Sequence, residues 1–245
     1  MDPISRREIS WAWSESYGAS VIRVNDSNRT DRDDQYSAYL EAGESSRPIP
    51  LSGEITMGFT EVISNYLAIG FTHILPKGLD HILFVVGLFL LSPALRPLLI
   101  QVTSFTIAHT VTLALGSLGV IQISPAIVEP LIAASIVYVA VENIISDKLQ
   151  RWRPLLIFAF GLLHGLGFAG VLSEIGIASG FFIAALLSFN IGVEIGQLTV
   201  IALCFLLFGL WFRRRPWYRS RITIPLSLVI ALVGAYWFVE RTMLA

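Results

Sequence analysis

Seven long apolar stretches follow residue 57, and they constrain the fold more than any other feature of the chain. A helix that crosses about 30 Å of hydrocarbon needs around 20 consecutive apolar residues. Most of the stretches approach that length, so the sequence predicts an all-α polytopic membrane bundle of six to seven transmembrane helices. The stretches are roughly 57–75, 79–95, 98–119, 125–146, 154–173, 180–211 and 223–239.

The first stretch is the exception, because it carries several polar side chains. Glu61, Ser64, Asn65, Thr72 and His73 fall within it. Three structures remain open for it: a membrane span, a re-entrant hairpin or an interfacial helix. The choice decides on which side of the membrane the N-terminal segment lies.

Residues 1–55 differ in composition from residues 56–245, which we predict to be the transmembrane domain. The first region holds ten acidic residues and six arginines, and the second holds eight acids and eleven bases. Only 14% of the whole chain is charged, against about 25% in a soluble domain. The runs YGASVIRV and YSAYLEAG alternate like strands between turn-forming residues. We therefore predict a short, polar, β-rich N-terminal segment.

Charge and cysteine content exclude several classes of protein. The net charge of −1 combines two regions of opposite sign, and no basic patch of the kind that binds nucleic acid is present. The sequence has no P-loop, so we expect no nucleotide cofactor. Cys204 is the single cysteine, which excludes an internal disulfide and a cysteine-rich metal site.

Basic residues concentrate in loops that share one side of the predicted bundle. Loops 147–153 and 213–221 together hold eight lysines and arginines, whereas loops 120–124 and 174–179 hold none. The positive-inside rule then places the first two loops in the cytoplasm. We expect a multi-pass protein of the bacterial inner membrane, embedded in the lipid bilayer, with its C-terminus outside.

Three ionisable residues occupy positions where charge is costly. His109, His164 and Glu194 each lie near the middle of a different apolar stretch. A charged side chain at that depth costs at least ~2.5–3.5 kcal/mol. We expect these residues, the midplane group, to meet one another, water or an ion. A glycine-rich crossing beside His164, with small residues every fourth position from 161 to 169, predicts close helix approach there.

Other ionisable residues mark the two ends of the bundle. His73, Asp80 and His81, the outer group, flank a Pro-Lys-Gly break before the second stretch. Glu129 opens the fourth stretch, and Glu142 lies about 20 Å deeper on the same predicted helix. Outer, middle and inner positions resemble a path more than a single closed site.

Imidazole and carboxylate ligands without thiolate suit borderline divalent ions such as nickel, cobalt and zinc. Structural alternatives stay open: the midplane histidines as neutral groups bonded to a neighbour, and Asp80 as a helix N-cap. The candidate metal ligands are His73, Asp80, His81, His109, His164 and Glu194. Second-layer or pathway positions are Glu129, Glu142, Asn190 and Gln197.

Five blocks in order resemble the HupE/UreJ family of membrane proteins: HILPKGLDHILFVVGLFLLS, SFTIAHTVTLALG, VENIIS, FGLLHGLGFAGVL and FNIGVEIGQ. The resemblance covers residues 57–245. It implies nickel or cobalt permease activity, linked in some members to hydrogenase or urease maturation. The family's motif, a histidine, a short spacer and Asp-His, maps onto His73, Asp80 and His81. The strand-like runs resemble the end of an extracytoplasmic β-rich domain in longer members, so we expect an N-terminally incomplete chain.

The function expected is therefore membrane passage of a divalent transition metal, nickel or cobalt first. The outer group would capture the ion, the midplane group would bind it and Glu142 would release it inward. Two other classes stay open. One is an intramembrane zinc hydrolase, and the other is a non-transporting metal-binding accessory protein. A homo-oligomer and metalloenzyme-maturation partners also stay open.

Overall fold

A computed structural model describes residues 8–14, 16, 20–24, 36–40, 42–46, 49–50, 58–175 and 179–243. The predicted boundary at residues 55 and 56, and residues 176–178 of the loop 174–179, lie outside the described residues. Short antiparallel strands occur within the N-terminal segment. They are β1 Glu8–Ile9 paired with β4 Ile49–Pro50, and β2 Ser20–Val24 paired with β3 Tyr36–Leu40.

Eight α-helices follow within the described residues. Two π-helical turns, Phe205–Gly209 and Arg219–Thr223, extend them. The resulting continuous spans are Phe182–Phe212 and Arg219–Met243. The helices are α1 Phe59–Ile74, α2 Leu79–Leu91, α3 Leu95–Ser117, α4 Pro125–Ile145, α5 Arg153–Ile175, α6 Phe182–Cys204, α7 Leu210–Phe212 and α8 Ile224–Met243.

Five spans among the described residues are long and apolar enough to cross a membrane, and α1 with α2 makes a sixth candidate that is bent by 68°. The two halves have 16 and 13 residues, or about 24 and 20 Å. Neither alone reaches the ~30 Å of a hydrocarbon core. The predicted fold class, an all-α polytopic bundle, is confirmed. The first two apolar stretches supply one broken span, so six spans fit the structure better than seven.

One end of the bundle is built around Arg219. Its guanidinium donates to the carbonyl oxygens of Asn143, Ile144 and Ser146 over 2.7–3.0 Å. The last carbonyls of a helix have no partner within it, and a cation there also complements the helix dipole. The contact therefore caps α4 and joins it to the start of α8. We call this the basic end.

The other end, the open end, contains the chain termini of the described membrane domain. Arg241 near the end of α8 donates to the carbonyl of Glu129 near the start of α4. The Phe59 ring, at the start of α1, lies 5.7 Å from that of Phe181, just before α6. The broken span thus starts at the open end and passes toward the basic end, with α1 running parallel to α6.

Glycines let two pairs of helices touch backbone to backbone. A Cβ at Gly70 would overlap the carbonyl of Phe189, which brings α1 against α6. On α5, a Cβ at Gly161 or Gly165 would lie 2.5 or 2.4 Å from a carbonyl oxygen of α3. Close contacts of this kind hold helices together in a membrane, where the hydrophobic effect does not favour helix association. The second crossing places His164 beside α3, as the spacing of small residues predicts.

Gly165→Ala tests this crossing. The added methyl would overlap the His109 carbonyl and the Thr112 hydroxyl, so α5 must shift, and we expect a loss of roughly 1–3 kcal/mol. Gly170→Ala on the same helix is the control, because no atom lies within 4 Å of its Cβ position. It should be neutral or stabilising, since alanine favours helix. Denaturation in detergent micelles measures both, and equal stability of the variants would contradict the close crossing.

Candidate metal centre

The break between α1 and α2 holds two histidines against each other. His73 lies in the last turn of α1 and His81 in the first turn of α2, with ring centroids 4.8 Å apart. A Cβ at Gly78 would lie 2.2 Å from the His73 carbonyl oxygen. Only glycine permits this approach, so the Pro-Lys-Gly sequence sets the distance between the two imidazoles.

Two further histidines reach the same place from α3 and α5. A nitrogen of His73, one of His81 and one of His109 all lie within 4.8 Å of one another. The His164 ring joins them, with its centroid 4.8 Å from that of His81. Here we call these four residues the imidazole cluster. The predicted outer histidines and midplane histidines therefore form one group, because the broken span brings the outer pair down to the level of the other two.

The tautomer of His109 is set by a neighbour on α6. Its Nδ1 lies 3.1 Å from Oδ1 of Asn190, and the Asn190 amide nitrogen donates to the Leu186 carbonyl. The amide oxygen must therefore face the ring and accept a hydrogen bond from Nδ1–H. This leaves a lone pair on Nε2, which is the form of imidazole that binds a metal.

The tautomer of His164 is set in a similar way from α4. The Ser135 hydroxyl donates to the Ile132 carbonyl over 2.7 Å, and its oxygen lies 3.1 Å from Nε2 of His164. Because the hydroxyl proton is already used, the oxygen accepts from Nε2–H. The lone pair of His164 is then on Nδ1. Both contacts therefore leave one ring nitrogen free to donate its lone pair to a metal ion.

Each ring of the cluster has one buried nitrogen without a hydrogen-bond partner. These atoms are Nε2 of His73, His81 and His109 and Nδ1 of His164. Leaving a buried polar atom unpaired costs about 1–3 kcal/mol. A divalent ion with nitrogen ligands at about 2.0–2.1 Å would satisfy several of them at once. One nitrogen from each of His73, His81 and His109 lies within 4.8 Å of the others, so these three rings would have to approach by about 1 Å or more to share one ion.

Aromatic rings enclose the cluster. Phe105 has its ring centroid 5.0 Å from that of His164 and 5.7 Å from that of His81, and Phe168 lies 4.2 Å from His73. These side chains are apolar and offer no charge. A low local dielectric strengthens any bond between the neutral imidazoles and a cation.

A cavity of about 430 Å³ connects the cluster with the open end. His73, His81 and His164 line its buried part. Its exposed part is lined by charges of both signs, among them Lys77 and Glu129. The imidazole cluster is therefore reached from the end of the bundle that lacks basic loops.

A protein-family model described as HupE / UreJ protein matches residues 52–241. The chain belongs to the HupE/UreJ family. The family is associated with nickel and cobalt transport. Neither a curated protein nor a solved structure matches the chain.

Asp80 of this HupE/UreJ protein departs from the predicted outer group. Its carboxylate forms a two-pronged ion pair with Arg241 of α8, at 3.0 and 3.2 Å. Residues adjacent on a helix point about 100° apart, so with His81 facing the cluster Asp80 faces α8. In this structure Asp80 ties α2 to α8 in the wall of the cavity, and its role as a metal ligand stays a prediction.

Glu194 departs from the predicted midplane group. Its carboxylate accepts a 2.7 Å hydrogen bond from Thr103 of α3 and is not part of the described histidine group. Asn190, one turn away, takes the place beside His109. Gln197 accepts from Thr106, so it is a neighbour of Glu194 on the α3–α6 interface and not a partner of the histidines.

Glu142 and Glu129 also lie apart from the cluster. Glu142 is 3.3 Å from the guanidinium of Arg153, and both side chains are buried. Loss of one partner of such a buried pair strongly destabilises the folded protein, because the other charge is left buried without a counter-charge. Glu129 is exposed in the cavity wall, where its backbone carbonyl accepts from Arg241.

The arginines that pair with Asp80 and Glu142 are not among the residues that the sequence singles out. Arg153 and Arg241 lie at the edges of apolar stretches, where basic residues are usually interfacial anchors. The only available signal was charge balance. An acid that lies within a predicted helix needs a counter-charge at the same depth.

A double-mutant cycle tests the tie between α2 and α8. For Asp80→Asn and Arg241→Gln we expect a coupling energy of about 1 kcal/mol, because the two-pronged pair is only partly shielded from solvent. SDS denaturation in mixed micelles measures it. Tyr236 and Glu240, an exposed pair on α8 with a 3.2 Å hydrogen bond, serve as the control, and Tyr236→Phe with Glu240→Gln should couple far less. Equal couplings would argue against the tie.

Proposed function

We propose that this HupE/UreJ protein is a membrane permease for a divalent transition metal, nickel or cobalt first. The observation that carries the proposal is the imidazole cluster, with its unpaired buried nitrogens at the end of a cavity. Imidazole suits nickel, cobalt and zinc better than it suits magnesium or calcium. The association of the family with nickel and cobalt transport favours the first two ions.

The distribution of charge supports a direction of access. The loops of the basic end carry the lysines and arginines, and the positive-inside rule places such loops in the cytoplasm. The cavity then opens to the outside. An ion from outside would meet the mixed charges of the cavity wall first and exchange its water ligands for imidazole in the aromatic shell.

One observation also favours an intramembrane zinc hydrolase. Three imidazole nitrogens beside a water-accessible cavity are the donor set of some catalytic zinc sites, which keep a fourth position open for water. The two functions differ in how firmly they hold the ion. An enzyme retains its zinc through purification, whereas a permease must release its cargo.

Elemental analysis of detergent-purified protein is the first test. After incubation with Ni²⁺ or Co²⁺ and removal of free ion, we expect about one ion per chain in the wild type. The variant His109→Ala with His164→Ala should lose it, since both prepared lone pairs are gone. Absence of bound metal in the wild type would contradict the proposal, and zinc that survives chelation would favour the hydrolase.

Ser135→Ala tests whether the cluster is prepared by its second layer. Without the hydroxyl, Nε2–H of His164 loses its acceptor and the ring can change tautomer. We expect Co²⁺ affinity, measured by isothermal titration calorimetry, to fall by about 10–100-fold. Ser104→Ala is the control, because the Ser104 hydroxyl bonds within its own helix, to the Ile100 carbonyl. Unchanged affinity in Ser135→Ala would show that the contact is incidental.

A further inference from the structure

A row of polar contacts between α3 and α6 begins at the imidazole cluster. Three hydrogen bonds cross this interface: His109 to Asn190 at 3.1 Å, Thr106 to Gln197 at 3.1 Å and Thr103 to Glu194 at 2.7 Å. We call the residues beyond His109 the polar seam. It consists of Thr103, Thr106, Asn190, Glu194 and Gln197.

The polar seam leads toward the basic end. Thr103 precedes His109 by six residues on α3, which places it about 9 Å nearer that end. From Thr103 to Leu95, where α3 begins at the basic end, is about another 12 Å. Gln197 is buried, whereas the Thr103–Glu194 pair is partly exposed. Polar side chains therefore lie on this side of the cluster, beyond the rings of Phe105 and Phe189 that stack on His109.

The route toward Glu142 is filled with apolar side chains. Ser135 and Glu142 are two turns apart on α4, and Val139 lies between them, 1% exposed. A Cβ on Gly87 of α2 would lie 2.9 Å from the Val139 side chain, so α2 and α4 are in close contact there. Beyond this layer the charge of Glu142 is matched by Arg153 at 3.3 Å, although the carboxylate and guanidinium atoms make no hydrogen bond.

Close packing also closes the interface of α3 with α5. The glycine contacts described above leave no room for a methyl group between the two backbones. In contrast to the interface of α3 with α5, the interface of α3 with α6 is crossed by three side-chain hydrogen bonds among the described residues. Such bonds can open and reform around a passing ion, whereas backbone contact cannot.

One atom of the polar seam lacks a partner. The amide nitrogen of Gln197 is buried and makes no hydrogen bond. Buried donors of this kind are commonly satisfied by an internal water molecule. Water at this position would extend the wet part of the protein from the cluster toward the Glu194 carboxylate.

We propose that the metal ion leaves the imidazole cluster along the polar seam, with the Glu194 carboxylate as its transient anionic ligand, and not past Glu142. This inference rests on the proposed function. Asn190, Gln197 and the two threonines supply oxygen atoms on the way. Glu194 is the anionic group of the seam, so it lowers the cost of moving a divalent charge out of the cluster through a medium of low dielectric.

Transport by Glu194→Gln is the test. Purified protein is placed in liposomes that contain a cobalt-sensitive dye, and Co²⁺ is added outside. We expect the initial rate of Co²⁺ entry to fall about tenfold or more, while Co²⁺ binding to the detergent-purified variant stays within about threefold of the wild type. Glu240→Gln removes a partly exposed acid on α8 and should leave both quantities unchanged.

The outcomes separate the route from the function. If the wild type transports Co²⁺, His109→Ala abolishes transport, and Glu194→Gln transports at the wild-type rate, the route is overturned and the permease stands. A parallel loss of binding and transport in Glu194→Gln would also overturn it, because Glu194 would then belong to the binding site. No transport by the wild type overturns both.

Thiol labelling gives a second measurement that does not depend on the transport rate. In a Cys204→Ala background, Gln197→Cys should react with a small water-soluble methanethiosulfonate, and bound Co²⁺ should slow the reaction. Val139→Cys, on the apolar route, should not react. Reaction at position 139 with none at position 197 would show that water reaches the Glu142 side of the cluster and not the polar seam, which would overturn the proposal.

Discussion

A polar atom in a water-free interior must find a partner, and this requirement organises the membrane domain. Asn190 and Ser135 each accept a hydrogen bond from one nitrogen of a buried histidine. The second nitrogen of each ring, which faces the cluster, is then the one without a proton. The remaining nitrogens are buried without partners, which costs free energy that a bound ion would recover. Close packing of the helices, by contrast, depends on glycines, which have no side chain and so let two backbones touch.

The fold could largely be predicted from the sequence, because hydrophobic length is a local property. Five spans appear where apolar stretches of sufficient length occur. The exception was the region of α1 and α2, where length alone could not distinguish two short spans from one broken span. The deciding fact is the 68° bend, a relation between two helices that hydrophobic length does not report.

The candidate site was harder to predict, since it depends on contacts between distant helices. Position along the apolar stretches grouped His109 with His164 near the middle of the membrane and separated them from His73 and His81. The structure brings all four together. Glu194 and Glu142 had suitable depth too, yet each pairs with a group from another helix, Thr103 or Arg153. Depth along a helix could be counted, whereas the direction a side chain faces could not.

The break between α1 and α2 gives the cluster a lever. His73 belongs to one half-helix and His81 to the other, so the bend angle sets the separation of two imidazoles. With α2 about 20 Å long, a rotation of about 10° at the break would displace the far end of α2 by about 3.5 Å. His81 is three residues beyond Gly78, about 4.5 Å along the helix axis, so the same rotation would move its backbone by about 0.8 Å. Any displacement of the Leu91 end of α2 is thus reduced severalfold at the backbone of His81, so the break keeps the first turn of α2 nearly fixed relative to α1.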